Sequence, residues 1–278
     1  MVILKSPAKI NWGLWILGRR PDGYHEIFTP IQKIGLFDLI EIEKSNSLTV
    51  QTSNNIPQEE NFVYKGLKKF EEVTGIPQRW KIFIKKQIPI GGGLGGGSSN
   101  LATVLRWVNN YWNKPLNFEE LKNLVAAISS DAPSFLGEGT AIAEGRGEKV
   151  EFWDIPTFKG VKITLFIPQN IISPTGEIYR RVIPKMYSPR EEIETLKEVI
   201  KAGDLKRLLE LIKNPLGEIF LSIHPELKEA IDFIQKKCYK KIFVSGSGSS
   251  LYTVGSLECE NWVDRLKKRF KIISLETL

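Results

Sequence analysis

Six glycines in seven positions, Gly91-Gly92-Gly93-Leu94-Gly95-Gly96-Gly97, stand between two segments of different period and run straight into Ser98 and Ser99. Upstream, Trp80 to Lys86 alternates apolar and polar residues as a strand does; downstream, Leu101, Val104, Leu105, Val108 and Trp112 recur at helical spacing. A glycine stretch so placed reads as a strand-to-helix turn and not as a flexible linker, which rarely leads directly into an amphipathic helix. Glycine allows positive φ and close approach to a ligand. Backbone N–H groups at the start of a helix favour an anion. The first expectation is therefore an anion-binding turn.

Spacing then tests which anion. Gly91-x-Gly93-x-x-Gly96 matches the dinucleotide fingerprint formally, but that motif needs a strand ending in an acidic residue about 20 positions on. Residues 111–117 read Tyr-Trp-Asn-Lys-Pro-Leu-Asn, and another helix follows. A P-loop would need lysine where Gly97 stands. Ser6-x-x-Lys9 resembles a β-lactamase nucleophile motif, yet Ser130-Asp131-Ala132 lacks the third residue of that family's second motif and no Lys-Thr-Gly occurs.

The rest of the chain mixes strand and helix patterns. Ile10, Trp12, Leu14 and Ile16 alternate with Lys9, Asn11 and Gly13, predicting one half-buried strand over 9–16. Further strands are expected at 34–43, 48–52 and 80–86, and a helix over 61–74. Asn117 with Glu120 predicts a capping box opening a helix that Pro133 stops. The stretch 153–160 reads as a boundary. Beyond it, a strand is expected at 161–167, a helix capped at Ser188-Pro189-x-Glu191, helices at 204–213 and 225–237, strands at 241–244 and 251–254, a helix over 258–270 and a strand at 271–275. This pattern predicts two fused α+β domains, 1–155 and 156–278.

Composition narrows the function. The 39 basic and 32 acidic residues give +7, which raises nucleic acid as a partner. The excess is even, however: 18 against 15 in residues 1–150 and 21 against 17 in 151–278. No long basic block exists, so no nucleic-acid partner is expected. Cys238 and Cys259 are too few for a disulfide framework and suit a reducing compartment. The one uncharged run of 18 or more residues, 87–105, is broken by the glycines and serines of the turn, and no secretory leader pattern is present, so a cytoplasmic protein without a membrane span is expected.

Three segments together resemble the GHMP kinase superfamily of small-molecule kinases: Pro7-Ala8-Lys9-Ile10-Asn11, Pro89-Ile90-Gly91-Gly92-Gly93-Leu94-Gly95-Gly96-Gly97-Ser98-Ser99, and Ser245-Gly246-Ser247-Gly248-Ser249-Ser250. They occur in that superfamily's order and span nearly the whole chain. Gly18-Arg19-Arg20-Pro21-Asp22-Gly23-Tyr24-His25-Glu26 and Ser130-Asp131-Ala132-Pro133 are similar to the branch whose acceptor is a cytidine diphosphate-linked methylerythritol in isoprenoid precursor synthesis. Ser129-Ser130 stands where Gly-Ala is usual, and Ser247 where threonine is usual.

The resemblance implies a two-domain fold with the active site in the cleft between an N-terminal nucleotide domain and a C-terminal ferredoxin-like α+β domain. It also implies ATP with Mg²⁺, and a monomer or homodimer. ATP would lie against Pro89 to Ser99, with Asn61 lining the adenine pocket and Ser98 or Ser99 a metal or phosphate ligand. Either serine could equally be the helix N-cap. Lys9, taken alone a solvated strand lysine, becomes a cation beside the transferring phosphoryl group; Asp131, taken alone a turn N-cap, becomes the group that orients and deprotonates the hydroxyl. Asn11, Tyr24, His25, Tyr179, Arg146, Ser245, Gly246 and Ser247 would meet the substrate. For Tyr179 a core aromatic, for Arg146 an exposed turn, and for Ser245 to Ser250 a plain hairpin remain open as alternatives. Another acceptor, such as mevalonate, homoserine or a sugar, is the competing reading.

Overall fold

The computed structural model describes residues 1–257, 266 and 268–278. Two sheets, each covered by helices, build a mixed α+β fold. The larger sheet is organised by one long strand, β3 (His25–Lys44), which β1 (Val2–Asn11) and β2 (Trp15–Arg19) join as antiparallel partners. The rest of the sheet runs β4-β5-β3-β6-β7, where β4 is Thr49–Thr52, β5 Trp80–Lys85, β6 Thr140–Gly145 and β7 Lys149–Trp153. Only β4 and β5 pair in parallel among these.

β5 shows why this sheet forms. Trp80, Ile82 and Ile84 are buried while Lys81, Phe83 and Lys85 face outward, the alternation of a strand covered on one side. The covering layer is α1 (Phe62–Thr74), α2 (Gly96–Tyr111) and α3 (Phe118–Ala126). Val63, Leu67 and Phe70 of α1 meet Leu101, Leu105 and Val108 of α2 over Ile40, Ile82 and Ile84. Each such side chain contributes roughly 1.5–3 kcal/mol on burial. Gly66 is needed where α1 crosses α2, because a Cβ there would stand 2.3 Å from Leu101 Cδ1.

The smaller sheet, β11-β8-β10-β9, is antiparallel throughout: β8 is Lys162–Pro168, β9 Phe243–Val244, β10 Leu251–Val254 and β11 Phe270–Glu276. Its helices are α4 (Thr175–Arg180), α5 (Arg190–Lys201), α6 (Leu205–Leu211), α7 (Pro215–Ile223) and α8 (Pro225–Cys238). Two apolar clusters join the sheets: Ile10, Trp12 and Trp15 meet Leu165, Leu196 and Tyr252 in one, and Ile16 and Ile27 meet Phe166, Leu251 and Phe270 in the other. Trp12 lies edge-on to both Phe158 and Tyr252 at 5.9 Å, and the Tyr252 hydroxyl donates to the Asn11 carbonyl at 2.9 Å. Among the described residues no helix is long and apolar enough to cross a membrane.

Several expectations need correction. The strand expected over 9–16 breaks at 12–14, where Gly13 takes φ +144° and a Cβ would stand 2.4 Å from the Trp15 ring. It is not half-buried either: residues 8–16 are all buried, with Ile10 and Trp12 packed against β8, β10 and α5, and with Lys9 and Asn11, on the side read as solvated, covered by the glycine turn and Gly246. The β6-β7 hairpin, α4, α7 and the first nine residues of β3 were not expected. The box at Asn117 and Glu120 is present with both bonds, but Ser188 does not cap α5; its amide instead donates to the Ile16 carbonyl at 2.7 Å. Cys238 is disulfide-bonded, which its place outside any cysteine motif did not suggest. The helix expected over 258–270 lies largely outside the described residues.

Candidate active site

The turn between β5 and α2 alternates left-handed glycines: Gly91, Gly93 and Gly95 have φ of +65°, +71° and +68°. Gly95 is the N-cap of α2, which starts two residues before Ser98. All four carbonyls from Gly91 to Leu94 are engaged by the surrounding protein. Gly91 accepts from the Ser173 amide at 3.1 Å, Gly92 from the Ser250 amide at 3.0 Å, Gly93 from the Ser245 hydroxyl at 3.0 Å and Leu94 from the Lys9 amide at 3.0 Å. The amides of these four residues donate no such bond among the described residues. With its carbonyls held and its N–H groups unengaged, the turn presents donors, the polarity that an oxyanion needs.

Lys9 reaches the mouth of this turn from β1. Its buried ammonium donates to Asn11 Oδ1 at 2.6 Å and lies 3.6 Å from Asp131 Oδ2. Asn11 in turn donates to the Thr29 hydroxyl at 2.8 Å, and Thr29 to the Gly13 carbonyl at 2.6 Å. That relay orients both side chains. Asp131 opens the short turn Ala132–Phe135 but makes no capping bond, and its side chain is 44% exposed. The carboxylate is therefore available to a ligand.

The hairpin expected between β9 and β10 exists, and it also meets the turn. Gly246, at φ +56°, would place a Cβ only 3.2 Å from Asn11 Oδ1 and 3.6 Å from Lys9 Nζ. Ser247 Oγ lies 2.8 Å from Thr175 Oγ1, and the Ser247 carbonyl accepts from the Ser173 hydroxyl at 2.7 Å. Ser245 stands behind, holding Gly93.

A cavity of about 720 Å³ opens from these groups, and Lys9, Asn11, Gly93, Gly95, Asp131, Gly246 and Ser247 line it. Its far end is aromatic. His25 stacks on Tyr179 at 5.5 Å and meets Tyr187 edge-on at 6.5 Å, while the Arg146 guanidinium sits 4.9 Å above the half-exposed Tyr24 ring. Burial, then the charge of Arg19, holds His25 below its ordinary value; burial, then Asp131, pushes the Tyr179 phenol far up. At neutral pH the imidazole is thus uncharged and the phenol a donor.

Other sequence candidates lie elsewhere. Ser99 is wholly buried and bonded to Ser6 at 2.7 Å, and Ser98 Oγ lies 2.7 Å from Ser129 Oγ. Asn61 caps α1 by accepting from the Val63 amide. Pro89, Ile90, Gly91, Gly92, Leu94, Gly96 and Gly97 belong to the turn without lining the cavity. Arg19 and Arg180, which the sequence did not single out, do line it. Neither has an ion pair among the described residues. Arg20, in contrast, is paired with Glu26 at 2.7 Å and Asp22 at 3.1 Å.

Comparison with known proteins places the chain in a family. Residues 61–139 match the model of the GHMP kinases N terminal domain. A 4-diphosphocytidyl-2-C-methyl-D-erythritol kinase of Persephonella marina is 44% identical, covering 94% of this chain and 93% of its own. One from Thermotoga maritima is 36% identical over 93% and 94%. A crystal structure of 4-(cytidine 5'-diphospho)-2C-methyl-D-erythritol kinase superposes with TM-score 0.79 at 27% identity, covering 99% of each chain. The Methanococcus jannaschii mevalonate kinase shares the fold at TM-score 0.70 and 16% identity, covering 100% and 98%. Identity at this level over nearly full length, on the same fold, means that the chain belongs to the 4-diphosphocytidyl-2-C-methyl-D-erythritol kinases of the GHMP superfamily.

Proposed function

We propose that this chain transfers the γ-phosphoryl group of ATP to the 2-hydroxyl of 4-diphosphocytidyl-2-C-methyl-D-erythritol, as a cytoplasmic enzyme of isoprenoid precursor synthesis. The observation that carries this reading is the convergence, in one cavity, of Gly93 and Gly95 of the turn, the Lys9–Asp131 pair and the Tyr24, His25 and Tyr179 cluster. Residues 1–155 supply the nucleotide side and 156–278 close the acceptor side, with the cavity between them.

The acceptor hydroxyl lies at Asp131, which takes its proton as the new oxygen–phosphorus bond forms. The bond from the γ-phosphorus to the β-bridging oxygen breaks, and ADP leaves with the electron pair. Because the transition state of such transfers is loose, positioning and charge stabilisation outweigh the strength of the base. Lys9 holds a positive charge at the reacting oxygens, fixed by Asn11 and Thr29. The amides from Gly91 to Gly97 hold the polyphosphate; a helix dipole alone contributes only about 0.3–1 kcal/mol to an exposed anion, so directed N–H groups must supply more.

Among the described residues no group of three or more His, Cys, Asp or Glu is present. Mg²⁺ would be held chiefly by the nucleotide's phosphates with one or two protein ligands, the usual mode for this ion. The 44% exposed Asp131 would be its protein ligand, and of the two buried serines Ser98 lies nearer the surface than the fully buried Ser99. Held there, the ion would supply neutralisation of phosphate charge. At the aromatic end, cytosine stacks on Tyr24 and bonds to neutral His25, with Tyr179 closing the slot; base stacking of this kind contributes roughly 1–3 kcal/mol. Arg146, Arg19 and Arg180 face the diphosphate.

The test is Mg·ATP with a panel of acceptors: the cytidine compound, mevalonate, homoserine and galactose. ADP release and a phosphorylated product are expected with the first alone. Turnover of another acceptor with none of the cytidine compound would overturn the reading.

A further inference from the structure

A second set of buried charges lies on the other side of the glycine turn, outside the cavity and unused by the mechanism above. Asp38, in the middle of β3, has a wholly buried carboxylate. Four donors converge on it. Lys86 Nζ bonds Oδ2, Asn100 Nδ2 reaches Oδ2 at 3.0 Å, and the amides of Gln87 and Ile88 reach Oδ1 at 2.7 and 2.9 Å. Lys86 also donates to Asn100 Oδ1 at 2.9 Å. Asn100 Nδ2 is 2.9 Å from Ser6 Oγ, which is 2.7 Å from Ser99 Oγ.

The placement of these groups gives them a purpose. Lys86, Gln87 and Ile88 are the last residues before the turn, Ser99 and Asn100 lie in the first turns of α2 just beyond it, and Ser6 is on β1 three residues before Lys9. The network thus ties both ends of the glycine turn to each other and to the strand that carries the lysine. Contact is close: a Cβ on Gly96 would stand 2.9 Å from Ile88 Cγ2 and 3.3 Å from Lys86 Nζ. A glycine-rich segment has the largest conformational freedom to lose. Something outside it must hold its amides in register, and buried, fully partnered polar groups are suited to that.

We propose that Asp38, with Lys86 and Asn100, is a positioning centre that sets the geometry of the glycine turn for the polyphosphate, without touching either substrate. The inference rests on the reading of that turn as the ATP phosphate site. It predicts an asymmetric defect. Loosening the network moves the turn and the start of α2, while Tyr24, His25 and Tyr179, at the far end of the cavity, keep their places.

The experiment compares Asp38→Asn, Lys86→Met, the double variant and the milder Ser6→Ala, which removes only the hydroxyl linking Asn100 to Ser99. Steady-state kinetics are measured for each substrate on folded protein, with hydrogen exchange of the 88–100 peptide with and without ATP. Displacement of the order of 1 Å lowers rates by up to about 100-fold. The expected result is a 10- to 100-fold fall in kcat/KM for ATP in the single charge variants, and a few-fold fall in Ser6→Ala. KM for the cytidine substrate should stay unchanged, and exchange of the 88–100 peptide should be faster without ATP. A lowered Tm with wild-type ATP kinetics in the folded fraction would overturn the proposal, as would an equal rise in KM for both substrates. If the charge variants do not fold, Ser6→Ala with unchanged exchange and unchanged KM for ATP overturns it alone. Failure of ATP to protect the wild-type peptide would refute the phosphate-site reading instead, so the two can be told apart.

Discussion

One methyl group placed on Gly93 tests how the turn and the hairpin fit together. Gly93 has φ +71°, and a Cβ there would stand 2.3 Å from the Ser245 carbonyl oxygen and 2.6 Å from that of Gly248. Both are backbone atoms and cannot rotate away. Ordinary contact begins near 3.4 Å, so the hairpin must retreat by about 1 Å. The left-handed conformation costs an L-residue roughly 1–2 kcal/mol, and overpacking adds about 1–3 kcal/mol. Gly93→Ala should therefore lower stability by roughly 2–5 kcal/mol, a fall in Tm on the order of 10 °C. Retreat of the hairpin takes Gly246 away from Lys9 and Asn11, and kcat/KM should fall about 100-fold. Gly75→Ala supplies the control. Gly75 has nearly the same φ, +69°, at the end of α1, but nothing lies within 4 Å of its Cβ position. It should lose about 1–2 kcal/mol and keep wild-type kinetics. Thermal unfolding and steady-state assays on the two variants decide the matter; equal behaviour would refute the close fit of turn and hairpin.

Further outcomes follow from charge. His25 is held below its ordinary 6.5 by burial and then by Arg19, so as pH falls the unfolded chain takes up this proton first. Its contribution to stability is full above pH 6.5 and is lost as pH falls through the lowered folded value. Affinity for cytidine should follow the same course, and His25→Gln should remove that limb of the titration. Removing Arg19 and Arg180 together should raise KM for the cytidine diphosphate substrate about tenfold, since exposed cations contribute on the order of 1 kcal/mol or less apiece. Inhibition by plain cytidine should not change; weakened cytidine inhibition would place these arginines at the base and not at the diphosphate.

How much of this was legible in the chain depended on where each residue's partners lie. β5 was readable because one face meets solvent; the segment 9–16 was misread because the second sheet buries one side and the glycine turn and Gly246 loop the other, and alternation then carries no signal. α3 declared itself through Asn117 and Glu120, three residues apart. α7 did not, because Pro215 and Gly217 sit within a run whose buried face includes Leu216, Ile219 and Phe220 and leaves little polar contrast. The glycine turn was readable from its place between a strand pattern and a helix pattern, Lys9 and Asp131 only through family resemblance, and the fold brings them together. Asp38 and Lys86 were invisible: they are 48 residues apart, and an aspartate in a strand or a lysine before a turn reads as solvated until the fold closes over both. Arg19 was quoted within a motif, yet only the pairing of Arg20 with Asp22 and Glu26 shows which arginine is left to face the cavity.

Single-turnover phosphoryl transfer by Asp131→Asn and Lys9→Met, with both substrates pre-bound, measures the shared role of the two side chains at the hydroxyl. The account predicts a rate at least about 100-fold below wild type in each, with the acceptor Kd changed less than about threefold and the fold intact. Rates within a few-fold of wild type in both variants would contradict it.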